Sequence, residues 1–328
     1  AVYDNDVHDK IGKFCSASRI AAAGTSYNQI IDAQPSHLIR MAVGLGFHRA
    51  RLKYAYKLLR GKDLETGVIS DETRDKNIGI FKTALEKVTD LNNWHSFLNL
   101  FAEAGYLNKS LVASNYVVVF SYVLYLLGKD EYKVQPIELR KVITRWIFMT
   151  TVTSFYSNSP ESTVERQLAD LRSIKSASDF VEYLNQTIKQ KMNDSYFNVE
   201  LINDLTSSAA SSPVWYGYIA SINVLGTPML FSNTPLSKYW VLGSDGMKKA
   251  IDKHHIFPKQ HLADIGIPDD RDRNQMANFT YLDYNTNIDI SDDAPSLYVG
   301  RYKAKLGDEG YAKACAENAL PEGFEGLD

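Results

Sequence analysis

The sequence carries only two cysteines, Cys15 and Cys315, near opposite ends of its 328 residues. Two scattered thiols exclude a disulfide framework and a cysteine-based zinc site, and they fit a reducing cytoplasm. Glycine (19) and proline (10) are scarce for this length, which argues against a turn-rich all-β sandwich and for long helices. Long apolar runs are missing too. The most apolar stretch, Tyr116 to Leu127, spans 12 residues, whereas crossing a bilayer takes about 20; a buried helix and no membrane association are expected. The start, Ala1 to Lys10, is polar and charged, unlike a signal peptide. Positive charge is not in excess either: 36 Lys and Arg stand against 39 Asp and Glu, a net charge of −3. A protein that coats nucleic acid non-specifically carries a large positive surplus, so any contact with DNA must come from a local patch. The chain begins at Ala1 rather than Met, which points to a processed product or a piece of something longer.

What is present is the balance of a folded globular protein, 45% hydrophobic and 23% charged, long enough for two or three domains. Leu38, Met41, Leu45, Leu52 and Leu59 recur at helical steps from Pro35 onward, the mark of a helix with one buried face. Asp71 and Thr73 open a second predicted helix to about Val88, and Asn92 or Asn93 caps a third carrying Trp94, Phe97, Leu98 and Phe101. The run from Ser110 to Leu127 makes a fourth, with Gly128 as its expected stop. Pro136 starts a fifth, with Val142, Trp146 and Met149 on one face. Ser162 and Glu165 have capping-box spacing and predict a helix to about Ile174. Further helices are expected over 179–192 and 214–225. Between Gly226 and Gly246 the helical period disappears among Pro228, Pro235 and Gly243. The expected organisation is therefore a helical domain over 1–225, a linker over 226–244 and a second domain over 245–328. In that domain, short β-like runs (255–257 and 279–282) precede helices from about Pro295 and Glu309.

Three of the seven histidines, His254, His255 and His261, fall close together in the second domain, in His-His-Ile-Phe-Pro and just after it. Asn278, Phe279 to Asp283, and Asn287 follow downstream. A hairpin would set the histidine strand against the strand after Asn278, leaving Asn287 in the first turn of the next helix, facing the histidines. These residue types suit phosphodiester hydrolysis. An imidazole near neutrality can take a proton from water. A divalent ion needs a few ligands with open positions to neutralise the scissile phosphate.

The order His254-His255-Ile-Phe-Pro, Asn278, Asn287 resembles the HNH, or ββα-metal, nuclease motif. That resemblance implies a mainly α protein: a large helical domain followed by a small ββα-metal module. It implies His255 as general base, His254 and Asn287 as ligands of a divalent metal, and Asn278 as the residue that braces the loop and orients the base. The implied function is a metal-dependent HNH endonuclease that hydrolyses DNA phosphodiester bonds. Many HNH nucleases carry Asp where this chain has His254. Histidine brings no negative charge, so manganese, nickel or zinc would compete with magnesium. The form His-His-Ile-Phe-Pro, behind a helical segment containing Ser159-Pro160-Glu161-Ser162, is similar to the C-terminal part of GmrSD-type modification-dependent restriction endonucleases. That likeness implies a bacterial, cytoplasmic restriction or anti-phage role on DNA, including modified DNA. It also implies an N-terminal nucleotide-hydrolysing domain as partner, whose Asp-Gly-x-Gln-Arg signature this chain lacks.

Other readings compete with parts of this one. A structural zinc on His254, His255 and His261 is disfavoured, because no cysteine lies nearby and adjacent strand residues face opposite ways. Ala250 to Leu306 holds seven Lys or Arg against nine Asp, so the module is not basic. Arg301 and Lys303 could meet phosphates from a helix. A better patch is the acid-free stretch around Arg49, Lys53 and Lys57, which fall on one helical face at four-residue steps. Tyr281 and Tyr284 flank the expected metal site. The alternative function is a helical DNA- or protein-binding module with an inactive or structural HNH-like domain.

Overall fold

In a computed structural model, which describes residues 5–18, 28–208, 212–239, 251–321 and 323–327, the chain is mainly helical. Among these residues the sheet structure is one antiparallel pair of strands. The chain divides into two compact units, one formed by Ala1–Ala104 with Val112–Met192, the other by Gly105–Leu111 with Asn193–Asp328.

The first unit contains α1 (Asn5–Ala17), α2 (Pro35–Phe47), α3 (Leu52–Leu59), α4 (Asp71–Val88), α5 (Leu91–Glu103), α6 (Asn115–Leu126), α7 (Pro136–Val152), α8 (Pro160–Leu171) and α9 (Ala177–Lys191). Their starts follow local chemistry. Ser70, Asp90, Ser114 and Ser176 cap α4, α5, α6 and α9 by accepting backbone N–H bonds, and proline opens α2, α7 and α8. As expected, the apolar run forms a buried helix: α6 is covered from Val117 to Leu124 and packs against α2, α5 and α7. Tyr122 lies 5.0 Å from Trp94 and 4.9 Å from Phe97, ring centre to ring centre.

Four local expectations are corrected. Asp90, rather than Asn92 or Asn93, caps α5. The periodic run from Pro35 to Leu59 is two helices, because His48 turns left-handed (φ 49°) after α2. The interrupted backbone is captured from afar: the Glu165 carboxylate accepts from Ala50 N at 2.8 Å and Arg51 N at 3.4 Å. Glu165 therefore serves that loop rather than a capping box with Ser162, and α8 starts earlier, after a left-handed Ser159 (φ 50°). Gly128 does not end α6; the chain continues through a π turn over Leu127–Glu131. A Cβ on Gly128 would lie 2.5 Å from Leu139 Cδ1 and 2.9 Å from Phe180 Cε1, so close packing explains this glycine.

The second unit opens with a π turn (Tyr196–Glu200), α10 (Leu201–Leu205) and α11 (Pro213–Leu225). Gly105–Leu111 belongs here because Gly105 (φ 86°) lies against α11, where a Cβ would meet Ala220 O at 2.1 Å. Asn223 Nδ2 also donates to Gly105 O at 2.9 Å. The unit thus takes in α11, which the sequence reading assigned to the helical domain. Residues 240–250, part of the expected linker and the start of the expected second domain, lie outside the described residues. The earlier part of that linker is packed: Met229, Leu230 and Phe231 are buried, Leu230 N donates to Tyr281 O at 3.2 Å, and Phe231 stacks on Tyr302 at 4.4 Å. Then come β1 (Ile251–His255), α12 (Lys259–Asp264), α13 (Asp270–Arg273), β2 (Phe279–Asp283), α14 (Tyr284–Ile290) and α15 (Pro295–Glu317). Gly307 (φ 73°, ψ 166°) breaks α15 where the sequence placed two helices. A two-stranded sheet is marginal alone; this one rests on a core that includes Ile256, Leu282, Ile290, Tyr298 and Tyr302. Among the described residues no helix is long and apolar enough to cross a membrane.

Replacing Gly128 by Ala is expected to destabilise the first unit by about 1–3 kcal/mol through overpacking, read as a lower urea midpoint. A stability equal to wild type would contradict the close-packing explanation.

Candidate functional site

The site is built on the register of β1 against β2, in which Asp252 pairs with Leu282, Lys253 with Tyr281, His254 with Thr280 and His255 with Phe279. Alternation along a strand sets Asp252 and His254 on the face of buried Thr280 and Leu282, and Lys253 with His255 on the other. β2 runs into α14 without a loop. Asp283 caps that helix, accepting from Thr286 N at 3.0 Å and Thr286 Oγ1 at 2.7 Å. The strand-to-helix junction brings Asn287 over the buried face of β1.

There Asn287 Oδ1 lies 2.7 Å from His254 Nδ1, while Asn287 Nδ2 donates to Asp252 Oδ2 at 3.1 Å. The Asp252 bond fixes which end of the amide faces the ring. His254 therefore donates from Nδ1, and its Nε2, buried and without a hydrogen-bond partner among the described residues, carries the lone pair. Burial holds the His254 pKa below the ordinary 6.5, against the Asn287 bond and the Asp252 and Asp292 charges, which raise it.

His255, at the end of β1, rests against Phe279 with ring centres 4.4 Å apart. Its Nε2 is 3.0 Å from Asn274 Oδ1. Asn274 Nδ2 donates to Asp270 O at 2.7 Å, so Asn274 offers an acceptor and His255 Nε2 must donate. The neutral ring then keeps its lone pair on Nδ1. Burial first, then the Lys259 and Lys253 charges, hold the His255 pKa below 6.5, against the Asn274 bond. At neutral pH the ring can accept a proton.

Asn278 braces the loop after β1. Phe257 N donates to its Oδ1 at 2.8 Å, and its Nδ2 donates to Phe257 O at 2.9 Å and Arg273 O at 3.1 Å. The residue hydrogen-bonded to the His255 ring is Asn274, which sequence spacing did not single out. Asp252 was also missed, although its place two residues before His254 on a strand is a readable signal.

His254, His255, Asn287, Lys253, Lys259 and Asp292 line one cleft of about 490 Å³. In the hydrogen-bonded pair His254 Nδ1 holds the proton. With that proton moved to Nε2, His254 Nδ1 and Asn287 Oδ1 would both offer lone pairs, and their 2.7 Å separation is near the roughly 3 Å between adjacent ligands of an octahedral ion with bonds of about 2.1 Å. The orphaned His254 Nε2 leaves the ring free of any competing hydrogen bond on its far side. The pair is neutral, so charge comes from Asp252 behind Asn287 and from Asp292 in the cleft. Among the described residues no three His, Cys, Asp or Glu side chains gather as a metal group. Tyr284 is exposed, and Tyr281 packs on Trp215 at 5.7 Å.

The expected nucleic-acid residues are partly occupied within the chain. Arg49 precedes α3 instead of lying on it, and it pairs with Glu165 at 2.9 Å, so the four-residue stripe loses its first member. Lys53 and Lys57 gather near the Tyr54 ring at 5.4 and 6.0 Å. Arg301 pairs with Asp293 at 2.9 Å and Lys303 with Asp308 at 3.4 Å. Compared with protein-family models, characterised proteins and solved structures, the chain matches none.

Asn278→Ala removes an acceptor from Phe257 N and a donor from two carbonyls. At about 1–3 kcal/mol for each buried group left unpaired, the second unit is expected to unfold at lower denaturant. An unchanged midpoint would contradict the bracing role. Both histidines have folded-state pKa values below 6.5, so the unfolded chain takes up protons first as pH falls. Their contribution to stability is full above about pH 6.5 and is lost as pH drops toward the folded values. Melting temperature should fall between neutral pH and about pH 5, and less steeply in His254→Gln; parallel curves would contradict this origin.

Proposed function

We propose that the chain is a metal-dependent endonuclease of the HNH, ββα-metal kind, cutting DNA phosphodiester bonds. The observation that carries this reading is the approach of His254 Nδ1 to Asn287 Oδ1 at 2.7 Å, across a strand–strand–helix, beside a second, neutral-poised histidine in the same cleft. His254 and Asn287 would hold a divalent ion, magnesium or one of the borderline metals manganese, nickel and zinc. When bound, the ion supplies positive charge for the scissile phosphate and the leaving oxygen. His255 supplies the base. Its Nδ1 lone pair takes the proton of an attacking water while Nε2–H remains anchored on Asn274, so the ring need not turn during the transfer. Asn278 acts through the loop, holding the residues after His255 in place. The biological setting that fits this chemistry is restriction or anti-phage defence, including cleavage of modified DNA, with a nucleotide-hydrolysing domain as partner.

One observation favours a binding module with an inactive ββα domain instead: both first ligands are neutral, and His254 Nδ1 must give up its proton before it can hold an ion. Plasmid nicking separates the two. Nicking is expected with magnesium, manganese or nickel and not with EDTA, and it should fall by about 10²–10⁴ in His255→Ala and be lost in Asn287→Ala. No nicking with any metal, together with no metal uptake in a titration, would overturn the enzyme reading.

A further inference from the structure

Lys253 is a cleft cation that neither the expected motif nor the proton chemistry uses. It sits on β1 between Asp252 and His254, on the face shared with His255, and lines the cleft with His254, His255 and Asn287. Its Nζ lies 3.6 Å from the centre of the Phe279 ring and 4.6 Å from that of Trp215. The side chain is partly buried, and its cross-strand partner is Tyr281. Among the described residues no carboxylate pairs with it. The neighbouring cations differ: Arg273 bonds Asp270 at 2.9 Å, Lys259 approaches Asp270 at 3.9 Å, and Arg301 and Lys303 have acids of their own.

A lysine with no task on a partly exposed strand extends its ammonium to water. Here aromatic faces hold the charge back over the sheet. Cation–π contact offsets part of the desolvation, about 0.5–2 kcal/mol, but it satisfies none of the three N–H donors. Phe279 also carries the His255 ring, at 4.4 Å, so one aromatic ring sets the spacing between the ammonium and the imidazole. A held cation on a residue that lines the cleft beside a base, with no hydrogen-bond partner for its N–H groups among the described residues, is complementary to a non-bridging oxygen of a phosphodiester.

Resting on the nuclease reading above, we propose that Lys253 is a substrate-binding residue that grips a backbone phosphate of DNA beside His255, with Phe279 and Trp215 holding its ammonium in position. A single lysine–phosphate contact contributes about one unit to the slope of log affinity against log salt, through counterion release. The test is equilibrium binding of a labelled DNA duplex to the full chain in EDTA, where cleavage is off, across a salt series. Lys253→Met keeps the packing on both rings and removes the charge. It is expected to weaken binding several-fold and to lower the slope by about one, while Lys253→Arg retains both and the exposed Lys313→Gln changes neither. Lys253→Gln gives the same reading should the Met variant melt early. Wild-type affinity and slope in the Met and Gln variants would overturn the proposal, as would a wild-type chain that does not bind. Metal-dependent nicking on the same preparations keeps the two readings apart. Nicking with unchanged variant binding removes the lysine contact alone; a lost slope without any nicking removes the nuclease and leaves the phosphate contact.

Discussion

The pairing of His254 with Thr280 and of His255 with Phe279 decides which chemistry the second unit can offer. With side chains alternating along β1, this register sends Asp252 and His254 toward α14 and sends Lys253 and His255 toward Phe279 and Tyr281. A slip of one residue would exchange the two sets: His254 would lose Asn287, and His255 would lose its aromatic support. The register is specified because only one alternation buries Thr280 and Leu282, and because the Asn278 side chain ties the turn after β1 to the entry of β2 at both Phe257 N and Phe257 O. The aromatic and aliphatic core beneath, with Tyr298 donating to Ile256 O at 2.8 Å, turns a marginal two-stranded sheet into a fixed platform.

On that platform two asparagine amides set the proton positions. Each amide is anchored by its NH2 end, Asn287 on Asp252 and Asn274 on the backbone of Asp270, and each presents its oxygen to a histidine. The consequence is opposite tautomers on adjacent rings, with the proton on Nδ1 of His254 and on Nε2 of His255. Burial keeps both rings neutral, which readies His255 as a general base, while His254 would ligate through Nδ1 only with its proton moved to Nε2. The negative charge that an Asp would bring at position 254 is instead displaced one bond outward, to Asp252.

Much of the helical scaffold could be read from residues alone, since first-turn residues such as Asp71 and Pro136 act within a few positions of where they stand. What failed depended on contacts remote in sequence. The break after Phe47 is held by Glu165, and the continuation past Gly128 by the space between Leu139 and Phe180. The basic stripe failed for the same reason: four-residue spacing implies a shared face only on an unbroken helix, and Arg49 lies before α3. At the site, the spacing of His254, Asn278 and Asn287 was legible because a hairpin followed by a helix is a local construction. Asn274 was not, because its approach to His255 depends on how α13 packs under the loop.

The most direct test of a metal centre on His254 and Asn287 is to add manganese to the full chain and follow the histidine ring resonances by NMR. A centre at this place predicts selective broadening of the His254 and His255 signals at low metal, with His8 and His95 left sharp, and loss of the selectivity in Asn287→Ala. Uniform broadening of all histidines, or none at either ring, would contradict it.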